Sequence, residues 1–473
     1  MEKRLVVAFA LILVFFVFWS QFGPQPVVQQ TALQEDIDFK PIQKPAQPPE
    51  DQIFDLEETE EELPTAVIGN VIITYSETGG YVAKMSTNQE ELPFRNIGIV
   101  PADKDKQYTA QIIGNKIEFT SPQGQKKIYA FDGYNLNITL ETPTPSVLLF
   151  SNHLHPSMLY QRYQEVFYSQ NNSIKRTGPK KIENKSLSQI EFAGARDRYY
   201  CISLLKGDYQ LRWQKKDKVT NLYLSPNSQH ISLYVGPQSA QEMAPYGLES
   251  IIYYGFFHGI AVVMIKLLHI LFAVTKNWGV SIVCFAVFIY FILFPFTSKS
   301  AKAMKRIQQI QPEMEGLKEK YKDNPQKLQK ETIELYRKYK INPLGGCLPL
   351  FFQFPIFIAL YQALLRLVEL KGAQFLWIKD LSLPDHFIKI PTTPPFYINL
   401  LPILIIFIGL IQQKVTTGAS SSSQQKSMGL FFAVFIGVIF YGFPSALVLY
   451  WLVQNILTLT YQSRISKGQP EEA

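Results

Sequence analysis

Cysteine is scarce in this sequence. Three residues in 473, Cys201, Cys284 and Cys347, lie far apart, which supplies neither a disulfide framework nor the ligand spacing of a zinc site. A catalytic constellation is also lacking. His153-x-His155 has the spacing to chelate a metal on a strand face, but it has no acidic or cysteine partner nearby and reads as a surface loop. No metal, no cofactor and no enzymatic activity are therefore expected. Charged residues are missing from the middle of the long apolar runs of the second half, where the polar side chains are amides and phenols. A transporter or channel would need a continuous polar path and a paired charge near mid-membrane, so that class is disfavoured.

What is present divides the chain into two unlike halves. Residues 24–250 are polar and strand-like, whereas 251–462 are dominated by long apolar runs. The net charge of +7 is concentrated on loops between those runs, which suits membrane orientation better than nucleic-acid binding. Leu5 to Trp19 is an uninterrupted apolar run behind Lys3 and Arg4, with no small-x-small site after it. Residues 1–23 are read as an uncleaved signal anchor. Further spans are expected at about 280–298, 346–368, 397–413, 428–443 and 446–462.

The segment 256–274 is apolar enough to span, yet His258, Val262, Lys266 and His269 follow helical spacing. If it crossed, the loop 299–341, with Lys299, Lys302, Lys305, Arg306, Lys318, Lys320 and six further cations, would fall outside the cell. The positive-inside bias opposes that. Residues 251–276 are therefore expected to form an interfacial amphipathic helix. Six spans remain, with both termini cytoplasmic.

Residues 24–64, rich in Pro, Gln and Glu, read as a disordered linker. Over 65–250, short alternating segments separated by turn signals argue for an exported all-β sandwich domain. Val67 to Tyr75 reads as one strand ending at Gly79-Gly80. Leu136, Ile138 and Leu140 form another, as do Ile231, Leu233 and Val235. After a second span at 277–298, residues 299–341 read as a cytoplasmic helical hairpin. Ile307, Ile310, Met314, Leu317 and Tyr321 face Leu328, Leu335 and Tyr339 across Asp323-Asn-Pro325. Its outer lysines either set topology only or meet acidic partners such as ribosomal RNA or lipid headgroups. Residues 342–463 hold the remaining four spans, and 464–473 a short tail.

Inside the apolar block, Tyr290, Gln353, Gln454 and Asn455 need partners or water. Cross-helix bonding is one reading. A hydrated cavity open to the cytoplasm is the other, walled by Phe351, Phe354, Tyr450 and Trp451. Such a cavity would lower the barrier for polar residues of a nascent chain.

Several stretches carry a resemblance: Asn277-Trp-Gly-Val-Ser281, Pro295-Phe-Thr297, Asn342-Pro-Leu-Gly-Gly-Cys347, Gln353-Phe-Pro-Ile-Phe-Ile-Ala-Leu-Tyr361, Leu376-Trp-Ile-Lys-Asp-Leu-Ser382 and Phe443-Pro-Ser-Ala-Leu-Val-Leu-Tyr450. In these the chain resembles the YidC-type membrane protein insertases, in the Gram-negative form with a large periplasmic domain. The resemblance implies a non-enzymatic insertase of the bacterial inner membrane, acting alone or beside the Sec translocon. It also implies a β-supersandwich periplasmic domain and a groove formed by the five C-terminal spans. Nascent membrane proteins would be its clients, with Tyr290, Gln353, Tyr450, Trp451 and Gln454 as groove residues. Lys302, Lys305, Arg306, Lys318 and Lys320 would be the hairpin contacts for a weakly bound ribosome, and lipids further partners. An assembly scaffold without insertase activity is the alternative. Two departures stand out. The family usually carries an arginine where this chain has Tyr290, and Arg366 fills a position that is more often small or apolar. The tail is short, with Arg464 and Lys467 as its only cations.

Overall fold

The computed structural model describes residues 63–467 apart from 70, 88–89, 101–105, 142–146, 154–163, 179–184, 217–218, 227–229, 323, 343–347, 393–395 and 417–422. The expected anchor at 1–23, nearly all of the expected linker, His155, Cys347 and the last six residues lie outside the described residues. The chain divides into two units, with the boundary between Tyr253 and Tyr254.

The first unit is β-rich. Its eight-stranded sheet runs Thr65–Ile68, Val71–Ser76, Tyr81–Thr87, Glu90–Val100, Val147–His153, Val219–Pro226, Tyr209–Lys216 and Lys185–Ile190. Its nine-stranded sheet runs Ser173–Thr177, Glu165–Gln170, Phe192–Arg196, Tyr200–Leu204, His230–Pro237, Asn135–Leu140, Lys126–Asp132, Lys116–Thr120 and Thr109–Ile113. Neighbouring strands pair antiparallel throughout. The expected alternation is present at Leu136, Ile138 and Leu140, whose side chains are buried while their neighbours are not. The single strand expected from Val67 to Tyr75 is instead a hairpin. Ile68 pairs with Val71, and Gly69 leaves the first strand at φ +59°, a backbone region that glycine enters without steric cost. Aromatic side chains join the sheets: Tyr75 meets Phe119 at 5.9 Å and Tyr168 meets Trp213 at 5.3 Å between ring centres.

Lys127 places an ammonium in that core. Lys127, 4% exposed, donates to the Gly79 carbonyl and lies 4.5 Å from the Tyr108 ring centre. Burial, then repulsion from Lys106, pushes its ammonium down to about 7. Lysine in the unfolded chain titrates near ~10.4. From pH 7 towards 10, the unfolded state therefore holds a proton that the folded state has shed, and stability rises with pH by up to about 1.4 kcal/mol per unit. Below pH 7 the full cost of the buried charge is present. Deuterium exchange at the Tyr129 amide in the full chain, corrected for intrinsic rates, should show at least tenfold more protection at pH 9 than at pH 7. Lys127→Met should abolish that difference. An unchanged difference would mean that another group sets it.

The second unit is helical. Helix α1 is His258–Thr275, α2 Trp278–Gln309, α3 Gln311–Lys320, α4 Pro325–Lys338, α5 Leu348–Arg366, α6 Leu400–Thr416, α7 Ser423–Phe440 and α8 Ser445–Lys467. Both α1 and α2 are long and apolar enough to cross a membrane. In α1, Ala261, Met264, Ile265 and Leu268 are buried at helical spacing, but the outer positions Val263, Ile270 and Val274 are apolar too. The polar stripe expected on this helix is therefore interrupted.

Helix α2 starts at a cap: the Asn277 side chain accepts the Val280 amide at 3.1 Å. It then runs for 32 residues in all, past residue 298 to Gln309, without a break. At 1.5 Å per residue that is ~48 Å, longer than the ~30 Å of hydrocarbon, and the excess length is the charged end that bears Lys302, Lys305 and Arg306. Only α3 and α4 form the hairpin proper. Ile310, Leu335 and Ile341 make its core with Ile307, Met314, Leu317 and Tyr336. Tyr336, rather than the expected Tyr339, points inward. Tyr339 is exposed and bonds Glu313.

Helices α6 and α7 approach closely through small residues. A Cβ built on Gly437 would lie 2.2 Å from Ile406 Cγ1, and one on Gly409 3.2 Å from the Ala433 Cβ. Between α5 and α6, Asp385 caps α6 by accepting the Leu400 and Leu401 amides at 2.7 and 3.1 Å, and it also accepts Trp377 Nε1 at 3.2 Å. Ser445 fixes the start of α8 against the same loop, both its amide and its hydroxyl donating to Leu383 O.

Candidate functional site

The polar residues of the apolar block converge on α2, α5 and α8. Gln353 is about one turn into α5, and its amide donates to the Tyr450 hydroxyl at 2.9 Å. Gln454, one turn along α8 from Tyr450, donates to the Ala286 carbonyl of α2 at 2.9 Å. Tyr290, one turn along α2 from Ala286, donates to the Leu457 carbonyl of α8 at 3.3 Å. Further along both helices, Lys305 donates to Ile465 O at 2.9 Å. The partners thus advance together, from 286 to 305 on α2 and from 454 to 465 on α8, so the two helices run parallel.

These bonds answer the need of polar groups in an apolar surround, and they leave three of the five expected groove residues covered. Tyr450 is 0%, Tyr290 7% and Gln454 9% exposed. Gln353 and Trp451 are half-buried. Trp451 sits in an aromatic wall with Phe357 at 5.2 Å and Phe440 at 5.4 Å. The backbone acceptors Ala286 O and Leu457 O were not foreseen, because a carbonyl freed for a side chain leaves no trace in residue identity. The i, i+4 spacing of positions 286 and 290, facing 454 and 457, is the only cue.

Tyr290 brings a neutral hydroxyl to its site. Arg366, at the other end of α5, donates to Gln362 Oε1 at 2.6 Å, while Glu369 faces His269 of α1 at 3.3 Å. On the charged arm, Lys302, Arg306, Lys318 and Lys320 are exposed, whereas Lys305 is half-buried against α8. Among the described residues no group of three or more His, Cys, Asp or Glu could hold a metal ion.

A β-rich domain followed by a block of apolar helices, with uncharged polar residues bonded across helices, defines a class of membrane protein built around a polar seam. The family model described as 60Kd inner membrane protein matches residues 270–472. The membrane protein insertase YidC of Pelobacter propionicus is 34% identical over 393 residues, covering 74% of this chain and 71% of that protein. The one of Geotalea daltonii is 33% identical over 310 residues, covering 62% and 56%, and that of Coxiella burnetii (strain RSA 331) 40% over 242, covering 50% and 40%. A crystal structure of an active YidC insertase aligns with 98% of this chain and 99% of its own at a TM-score of 0.43 and 18% identity. The chain belongs to the YidC membrane protein insertase family, on the strength of the sequence relatives. That membership makes it a protein of the bacterial inner membrane.

Proposed function

We propose that this insertase passes nascent apolar helices from the cytoplasm into the inner membrane along the seam of α2, α5 and α8. The observation that carries the reading is the Gln353–Tyr450 bond at the half-buried end of the seam. An amide on a phenol is a neutral pair, and water or the backbone of an entering chain can replace either partner at little cost. In this reading Gln353 and Trp451 meet a client first. Tyr290, Tyr450 and Gln454 become accessible when α5 and α8 part, and the seam then becomes a hydrated groove open to the cytoplasm. Aromatic walls let the client slide out into lipid. With Tyr290 in place of a cation, the groove draws its client by hydrogen bonding and desolvation rather than by a fixed charge.

The topology proposed with it has six spans and both termini in the cytoplasm. The β-rich unit is a periplasmic β-supersandwich, α1 lies in the outer interface, and α3 with α4 form a cytoplasmic hairpin. Parallel α2 and α8 support this arrangement, since they require an odd number of crossings in between, and the three apolar helices α5, α6 and α7 supply one. The antiparallel approach of α6 and α7, with Gly429 against Gln413 and Gly437 against Ile406, fits the same alternation. The exposed Lys302, Arg306, Lys318 and Lys320 are offered to the ribosome or to anionic headgroups, with the Sec translocon as a further partner.

Photo-crosslinking amino acids at positions 353 and 451 should capture a ribosome-bound single-span nascent chain. Positions 407 and 431, exposed on α6 and α7, should capture several-fold less. Capture at 407 and 431 alone would refute the seam. A scaffold without insertase activity predicts that the purified protein in liposomes inserts nothing by itself.

A further inference from the structure

We propose that the β-hairpin between α5 and α6 is a lipid-seated anchor, its apolar face resting in the headgroup boundary of the bilayer. Ile388–Ile390 pairs antiparallel with Phe396–Ile398, with Ile388 opposite Ile398, Lys389 opposite Tyr397 and Ile390 opposite Phe396. Side chains alternate across a strand and cross-strand partners share a face. One face therefore carries Ile388, Ile390, Phe396 and Ile398, and the other Lys389 and Tyr397. On the first, Ile388 is 48% and Phe396 52% exposed, and Leu376 in the same loop is 75% exposed.

Looseness does not account for this exposure, because the hairpin is fastened on its other side. The Tyr441 hydroxyl donates to Tyr397 O, and His386 stacks on the Tyr397 ring at 4.2 Å. Asn399 donates to Tyr441 O at 2.8 Å and accepts the His386 amide at 3.0 Å. A two-stranded ribbon with a bare apolar face is marginal in water, and an exposed apolar patch marks an interaction surface.

Lipid is the occupant that the position selects. The hairpin leads directly into α6, a helix of the apolar block, whose first turns carry Ile403 and Phe407 at 44% and 60% exposed. The apolar surface thus continues from hairpin to helix, and whatever solvates α6 meets the hairpin as well. The opposite face has the chemistry of the water side: Lys389 carries a long stem that reaches outward, beside tyrosine and histidine rings suited to the interface. The seat fixes the depth at which α6 and α7 emerge, and so the outer rim of the proposed exit path. This last consequence rests on the insertase topology above, while the lipid contact does not.

The test uses the full chain in nanodiscs of phosphatidylethanolamine and phosphatidylglycerol. Phe396→Trp and Ile388→Trp are conservative probes, read as difference emission against the parent protein. Brominated lipid should quench the added emission at least threefold more than aqueous iodide at both positions. The order should reverse for Lys389→Trp on the other face. Dominant iodide quenching at 388 and 396 would overturn the proposal. Protection of both from either quencher would overturn it too, and would assign the face to a protein surface such as a second copy of the chain. Should Ile388→Trp disturb the ribbon, Phe396→Trp alone decides between the same outcomes. Insertion is not the readout, so failure of the groove reading leaves this result unaffected.

Discussion

Arg196→Met is expected to destabilise the β-rich unit by about 3–5 kcal/mol. The guanidinium is 3% exposed and donates to Glu165 at 2.6 and 3.0 Å, to Gln238 Oε1 at 3.3 Å and to the Ile251 carbonyl at 2.9 Å. Arg176 reaches the adjacent Ser250 carbonyl at 2.8 Å. Two arginines therefore hold the carbonyls of the segment by which the chain leaves this unit. Removing Arg196 takes from the Glu165 carboxylate, 16% exposed, both bonds to that guanidinium and leaves the Ile251 carbonyl to Arg176 alone at 3.3 Å, so the broken buried pair dominates the cost. Adding Glu165→Leu should recover more than half of the loss, because the two residues share one interaction. Deuterium exchange across Phe192–Arg196 in the full chain reads both effects. A loss of less than 1 kcal/mol, or no recovery in the double variant, would show that the pair does not carry the corner.

Gly437→Val should cost about 3 kcal/mol at the α6–α7 contact. The position admits no side chain: a Cβ placed there would meet Ile406 Cγ1 at 2.2 Å and Cδ1 at 2.5 Å, with Pro402 O at 3.4 Å. Ile406 must turn aside or α7 must move away from α6, and close packing is what holds helices together where no hydrophobic drive operates between them. Ile406→Ala opens the needed volume. The double variant should regain most of the thermal stability of the purified protein, whereas Ile406→Ala alone should lose some. Additive losses would mean that close approach is not what position 437 provides.

Much of this architecture is legible in the residues, for physical reasons. Alternation over Leu136–Leu140 marks a half-buried strand because side chains point to opposite faces every second residue. The stripe Ile307, Ile310, Met314 and Leu317 marks a continuous apolar face, and all four enter the hairpin core even though the helix breaks at Ile310 between α2 and α3. Asn277 and Asn324 both cap helices as their position before an apolar or proline-led run suggests. The uncharged polar residues of the apolar block were visible as residues in need of partners.

Their partners were not. Tyr290 and Gln454 bond to backbone carbonyls, and any residue can offer one. Whether Gln353 faces water or Tyr450 depends on helix rotation, which composition does not encode. The end of α2 at Gln309 rather than 298 was hidden because charge marks where the membrane ends, not where a helix does. Tyr336 displaces Tyr339 from the hairpin core because the bond to Glu313 draws Tyr339 to the surface.

Water access to Gln353 is the most direct measure of the account. A cysteine at position 353 in the full chain, in inverted membrane vesicles, should react with a membrane-impermeant thiol reagent added on the cytoplasmic side. The reaction is read by mass spectrometry of the peptide containing residue 353. Ala363→Cys, at a fully buried position of the same helix, should stay unlabelled. Labelling at 353 alone is the predicted result. Silence at 353 with a client present as well as without one would mean that the amide only joins helices, and the groove reading would be wrong.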